Sequence, residues 1–435
     1  MRQRSVYGSG RRVHVAAIAV FGTVLTLALA ACHDLTSLDQ DTPSQIGAGE
    51  LEKPENAELL VQSAVGDFEC ALTNYVVAGG LVGDELANAN LINRVWDYDR
   101  RTILPTNSVY STQTCGNDPT VYTVLSTARY DADNALRLLD GWTDEQVPNR
   151  IGLIATAATY AGYSLVLLGE GMCSAALDVG PELTPAQILT EAEGRFTQAI
   201  DAATAAGDDQ TLQLAFLGRA RVRRDLGNLP DAATDAAQVP QGFLVEATYS
   251  NARPSRQNAV YNFMAQLLAA TVDVPFRDVT FEGVPDPRVA VVDAGTAGAD
   301  NVTEIFLPAK YSDFGSPIPV GRWEEAQLII AEADVAGGDV SGAVGIINTL
   351  HANAGIPAYG GGPASEVQAQ IIEERRREFF LEGQRLGDII HYGLPLFPAP
   401  GTPFSIGESF SGEYGTQVCF PLPTVERSNN PNIPD

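Results

Sequence analysis

The sequence predicts a mainly α protein: helical hairpins packed into one body, with long irregular loops and minor β-hairpins. Apolar residues recur at helical spacing in most segments, Gly-Asp and Gly-Asn pairs punctuate them at short intervals, and two long stretches lose periodicity while gathering Gly, Pro and Asp. The 435 residues, 45% hydrophobic and 19% charged, suffice for a substantial core and exclude a disordered polyelectrolyte.

Arg2, Arg4, Arg11 and Arg12 precede an apolar run from Val13 to Ala31 without one acidic residue, the layout of an export signal. Leu29-Ala30-Ala31-Cys32 resembles a bacterial lipobox, in which the cysteine is lipidated and becomes the mature N-terminus. Residues 1–31 are therefore read as a lipoprotein signal peptide, Cys32 as the lipidation site, and the acidic stretch 32–53 as a flexible tether. An N-terminal membrane anchor is the competing reading, but it leaves Cys32 without a role. The formal charge of −27 becomes −31 once the four signal arginines are gone. Such acidity argues against a nucleic-acid partner and disfavours a polyanionic ligand over a neutral one.

Past the tether, residues 54–75 read as an amphipathic helix through Leu59, Leu60, Val61, Val65 and Phe68, and 76–120 as a long loop. Periodicity returns at 121–140, and 149–168 is apolar all round, as a buried helix would be. Thr184-Pro185 opens the next helix as cap and first residue. The run Leu217-Gly218-Arg219-Ala220-Arg221-Val222, followed by Gly227 and Ala232-Ala233, resembles the tetratricopeptide repeat, whose small residues let paired helices approach closely. The same grammar recurs at 322–354. Repeat-like pairs are thus placed at about 121–168, 184–238 and 322–354. Residues 240–320, rich in Pro, Gly and Asp, are read as irregular with minor β content. With 76–120 they make a loop-rich, ligand-side subdomain of a single domain spanning 54–435.

Cys70, Cys115, Cys173 and Cys419 are even in number, as disulfides in an oxidising compartment require. Three pairings are possible; the reading favours Cys70–Cys115, pinning the long loop to the first helix, and Cys173–Cys419, tying the tail to the helical body. No CxxC pair suggests zinc, and the histidines (His14, His33, His351 and His391) are scattered. Neither metal nor other cofactor is expected. P-loop, dinucleotide and nucleophile-elbow motifs are absent from the sequence.

Residues 365–392 read as one long helix in which Glu374, Arg375, Glu378, Glu382, Arg385 and Asp388 share an arc of roughly 140° with Ile371, Leu381 and Ile389. Such a mixed face implies a half-buried ion-pair network, with Arg375 reaching Glu378, and Arg385 reaching Glu382 and Asp388. Arginine beside every acid leaves these carboxylates ionised and unsuited to proton donation, so no catalytic residue is assigned.

Those residues, with Gly383, resemble the ER-x-x-E…EG-x-R-x-x-D signature of the SusD/RagB family of outer-membrane nutrient-binding lipoproteins. The lipobox, Gly83-Asp84-Glu85-Leu86, Arg322 with Glu325 and Glu332, and the closing Phe420-Pro421-Leu422-Pro423…Glu426…Asn430-Pro431 fall in the family's order. The resemblance implies a non-enzymatic protein, lipid-anchored in the outer membrane and facing the cell exterior. It would bind an oligosaccharide or other small nutrient and deliver it to a SusC-like TonB-dependent transporter. A periplasm-facing repeat lipoprotein scaffolding outer-membrane assembly is the alternative. Family ligand contacts come from loops after the first helix and before the last repeat. Here Asn93, Trp96, Tyr98, Arg101 and Tyr311 offer ring faces and polar groups suited to sugars.

Overall fold

The computed structural model describes residues 48–91, 93–116, 118–406 and 410–434. Cys32 and the signal lie outside the described residues. Residues Ala48–Leu51 form a helical turn, and residues 54–435 make one compact unit.

Helix α1 (Ala57–Val82) runs seven residues further than the periodicity indicates. Every residue from Phe68 to Val82 is buried, so the amphipathic signal fades where the helix enters the core. Two short helices follow in the stretch read as loop, α2 (Asn93–Asp99) and α3 (Ser108–Thr112). Then α4 (Tyr122–Gly141) and α5 (Arg150–Gly171) form a hairpin against α1. Although α5 is long and apolar enough to cross a membrane, it lies buried among helices here.

Helix α6 (Pro185–Ala206) starts on a capping box between Thr184 and Gln187 and stops at Gly207, where φ is 68°. Helix α7 (Asp209–Asp225) begins on Asp208, whose side chain accepts from the Thr211 amide, and α8 (Leu229–Ala236) completes the second pair. Gly162 and Gly218 both face the Phe196 ring; a methyl group on Gly218 would sit 2.3 Å from it. These small residues set the spacing of the α5–α6–α7 layer. The stack continues through α8 to α9 (Trp323–Gly337) and α10 (Val340–Ala354), separated by left-handed Gly338 and the Asp339 cap.

The β content among the described residues is six two-stranded antiparallel pairs. Residues 86–88 pair with 270–272, and 244–247 with 318–322, so loop segments distant in sequence are sewn to the end of α1 and the start of α9. Cys70–Cys115 and Cys173–Cys419 are the disulfides formed.

The expected helix 365–392 is two helices, α11 (Ala364–Glu378) and α12 (Arg385–Tyr392), joined by a reversal with Leu381 at φ 53° and Gly383 at φ 84°. Outside groups take over the backbone hydrogen bonds that a helix would use. The Leu381 amide donates to Glu85 Oε1 (2.6 Å), Tyr311 donates to the Leu381 carbonyl (2.8 Å), and the Lys310 ammonium to the Phe380 carbonyl (2.9 Å). The short helix α13 (Thr424–Asn429) closes the chain against the 174–183 loop.

Candidate functional site

The reversal rewrites the ion-pair network. A straight helix would hold Arg375 and Asp388 about 20 Å apart; instead the Arg375 Nε lies 3.0 Å from both Asp388 oxygens. Arg224 Nη2 also donates to Asp388, at 2.9 Å. Burial opposes ionisation of Asp388, but the two guanidiniums outweigh it and hold its carboxyl below the usual range. Arg385 pairs bidentately with Asp84 at 2.6 and 2.7 Å instead of reaching Glu382. Glu378 binds Arg288 and Arg322, and Glu382 binds Lys310 and Arg322. The face expected to be half-buried is buried, and its pairs join different segments instead of helical neighbours. Beside them, burial pushes the Glu85 carboxyl up to about 8 despite the Leu381 amide. This girdle fixes the ends of α1, α7, α9 and α11 against one another and positions the loops between them.

His351 belongs to the girdle, not to a surface. Fully buried, it has Nδ1 2.6 Å from the Pro357 carbonyl and Nε2 2.8 Å from Glu374 Oε1. Burial disfavours the cation, but Glu374 and the Pro357 carbonyl at the two nitrogens outweigh it and raise the ring's pKa above the usual histidine value.

The sequence-assigned ligand residues are placed otherwise than expected. Tyr98 is buried, its hydroxyl donating to the Pro119 carbonyl and its ring edge-on to Phe420. Tyr311 is 4% exposed and spends its hydroxyl on the reversal. Arg101 is buried, in left-handed conformation, with its guanidinium donating to the Phe397, Pro398 and Gly415 carbonyls. All three hold loops to the body, so none presents a ring face or guanidinium to a ligand in this conformation. Trp96 is half-buried on α2, and Asn93 opens that helix, its side chain lying outside the described set.

The two loop regions nevertheless meet at a site. Along the N-terminal half of α1, a pocket of about 420 Å³ is lined by Gln62, Ser63 and Asp67 of the helix, by Cys115 of the first loop, and by Thr248, Arg253, Ser255 and Arg256 of the second. The Cys70–Cys115 bond brings the first loop there. Glu69 brings the second: its Oε1 accepts from the Thr248 amide at 2.7 Å, and its Oε2 pairs with Arg256 at 2.7 Å. Gly66 lets Arg256 lie across the helix, since a β-carbon there would come within 3.0 Å of Nη1. Asp67 faces Asp131 of α4. Burial, then the neighbouring carboxylate, push the Asp67 carboxyl up to about 6 against the pull of Arg256 and Arg253. Arg253 is exposed and makes no ion pair among the described residues. Hydroxyls, an amide, a carboxyl pair and one available guanidinium can read the hydroxyl groups of a polar, uncharged ligand. The signal for this site in the sequence is the disulfide that pins the first loop; Asp67 and Arg253 carry none.

No cluster of three or more His, Cys, Asp or Glu side chains suited to a metal occurs among the described residues. Comparison with known proteins gives a consistent picture. The model of the SusD family matches residues 312–433. A SusD superfamily protein from Bacteroides vulgatus superposes with TM-score 0.67 at 16% identity, covering 88% of this chain and 98% of its own. A SusD-like carbohydrate binding protein from the same organism gives 0.65 at 15%, covering 88% and 97%. A laminarin binding SusD-like protein gives 0.64 at 16%, covering 87% and 98%. No curated protein matches the sequence significantly. The matched segment contains the reversal and its Glu378, Glu382 and Asp388 carboxylates, and the chain as a whole has the SusD-like fold.

Proposed function

We propose that this protein binds an oligosaccharide nutrient at the cell surface and passes it to a SusC-like TonB-dependent outer-membrane transporter, acting as a binding protein and not as an enzyme. In this reading Cys32 carries the lipid that anchors the chain in the outer membrane, facing the exterior.

The observation that carries the reading is the SusD-like fold over nearly nine-tenths of the chain, with similar proteins described as carbohydrate binding and laminarin binding. The α1 pocket supports it, because both loop regions from which the family resemblance implies ligand contacts converge there on polar, hydrogen-bonding groups. Glu378, Glu382 and Asp388 are each held by arginine or lysine, which suits them to fixing the fold and not to donating protons.

Glycan-array binding and titration calorimetry on the chain from residue 33, including laminarin, test the ligand class. Arg253→Ala and Asp67→Ala are expected to weaken binding severalfold; absence of binding to any glycan refutes the reading. Co-purification from membranes with a TonB-dependent transporter, lost with Cys32→Ser, tests the partner and the anchor.

A further inference from the structure

Apart from the α1 pocket, α3 at the end of the first loop region joins α4, the 176–179 loop and α13 in enclosing an open groove of about 570 Å³, within the roughly 300–1,000 Å³ of small-molecule sites. We infer that this groove is a carbohydrate subsite, taking a neutral sugar chain with ring faces laid on Tyr130 and hydroxyls bonded to the opposite wall. The inference rests on the glycan-binding reading above and adds a second place for it.

Two independent observations carry it. The first is composition. Tyr130, Val179 and Val425, exposed by 54%, 57% and 42%, supply an aromatic plane and two aliphatic surfaces, while Ser and Thr side chains of α3 and α4 line the rest. A sugar ring presents this same alternation of C–H faces and hydroxyl edges.

The second is strain. Asp178 and Val179 both adopt left-handed backbone conformation, at φ 50° and 59°. A β-branched residue rarely sits there, and two successive non-glycine residues persist only where surroundings over-determine them. Those surroundings are present: Asn432 donates to the Val179 carbonyl at 2.7 Å, Asn430 to the Gly180 carbonyl at 2.8 Å, and Arg129 Nη1 to both Asp178 oxygens at 2.7 and 2.8 Å. The Cys173–Cys419 bond ties the loop's base to the tail. These contacts hold one exposed valine at the groove.

The Tyr122 and Ser126 hydroxyls are closed to solvent beneath the groove, the phenol lying against the Ala176 backbone and the Glu426 carboxylate, so the hydroxyls open to a ligand include those of the exposed Thr112 and Thr127. Charge selects the ligand class: Arg129 is neutralised by Asp178 and Asp133, leaving Glu426 to repel anionic sugars.

The test uses the chain from residue 33 and an array of neutral oligosaccharides and polyuronates, with hits titrated by calorimetry. Tyr130→Ala, on an exposed position that leaves the fold intact by circular dichroism, is expected to weaken the neutral hit about tenfold. Val179→Gly, which relieves the strained backbone, is expected to raise the melting temperature while weakening the same hit. Unchanged binding in both variants, with loss in Arg253→Ala, overturns the groove and leaves the α1 pocket as the glycan site. A wild-type chain that binds no glycan overturns the functional reading itself, and a preference for polyuronates overturns the ligand class inferred here.

Discussion

Replacing Asp388 by Asn tests the girdle at a buried carboxylate that two guanidiniums share. The carboxylate receives Arg375 through two contacts of 3.0 Å and Arg224 through one of 2.9 Å. The side chains of Arg224, Arg375 and Asp388 are 2%, 1% and 3% exposed. The amide keeps the shape and removes the charge, so two guanidiniums lose their common counter-ion in a place water cannot reach. Arg224 retains Glu332 and Asp225, whereas Arg375 keeps the neutral Gln384 oxygen as its hydrogen-bond partner. Breaking a buried pair in this way costs about 3–5 kcal/mol. Asp144→Asn is the matched control, because it breaks the Arg150 pair with Asp144 61% exposed; such surface pairs contribute about 0–1 kcal/mol. Urea unfolding followed by circular dichroism reads both as shifts in midpoint at constant slope. If the two variants differ by less than about 1 kcal/mol, the girdle does not hold the fold as argued.

Asp67→Asn should stabilise the protein by about 1–2 kcal/mol at pH 7.5, the pull toward the protonated form being discounted for its partial exposure. Since the folded carboxyl titrates near 6 and the unfolded one at 3.8, the advantage should shrink as pH falls from 6 to 4; melting curves across that range check it. For His351, burial disfavours the cation, but Glu374 and the Pro357 carbonyl outweigh it and raise the pKa. Its stabilisation is therefore full below 6.5 and lost as pH rises through the raised value, and His351→Gln should flatten that alkaline decline. Gly218→Ala drives a methyl into Phe196 and should cost about 1–3 kcal/mol, recovered in part by Phe196→Leu, as measured by urea midpoints.

Periodicity and punctuation located the helical pairs because each helix presents one apolar stripe to its neighbour. They failed where burial is complete: the second half of α1 has no polar face to mark it, and its Gly79 and Gly80 read as loop while packing against Leu386 and Leu86. The reversal after Glu378 was hidden for another reason. Nothing between Phe379 and Gln384 forbids a helix except Gly383; the break is imposed by Glu85, Lys310 and Tyr311, residues far away in the chain. Three of the five assigned ligand residues are placed otherwise on the same account, since aromatic and polar side chains clustered in a loop look alike whether they face a sugar or a carbonyl. Tyr98, Arg101 and Tyr311 face carbonyls. The tail residues that shape the α4 groove gave no local sign of it, because Asn430 and Asn432 act on carbonyls about 250 positions upstream, at separations of 250 and 253.

The pairing of Arg385 with Asp84 joins residues 301 positions apart, and the Glu85 contact to Leu381 spans 296. Order in time follows from order in space. The inner end of the first helix cannot complete its packing until the polypeptide past residue 385 exists, and helices finished early must wait with apolar surface exposed. Such long-range closure makes folding slow and leaves incomplete chains vulnerable to aggregation. A polypeptide built this way completes its packing only when its synthesis is nearly finished.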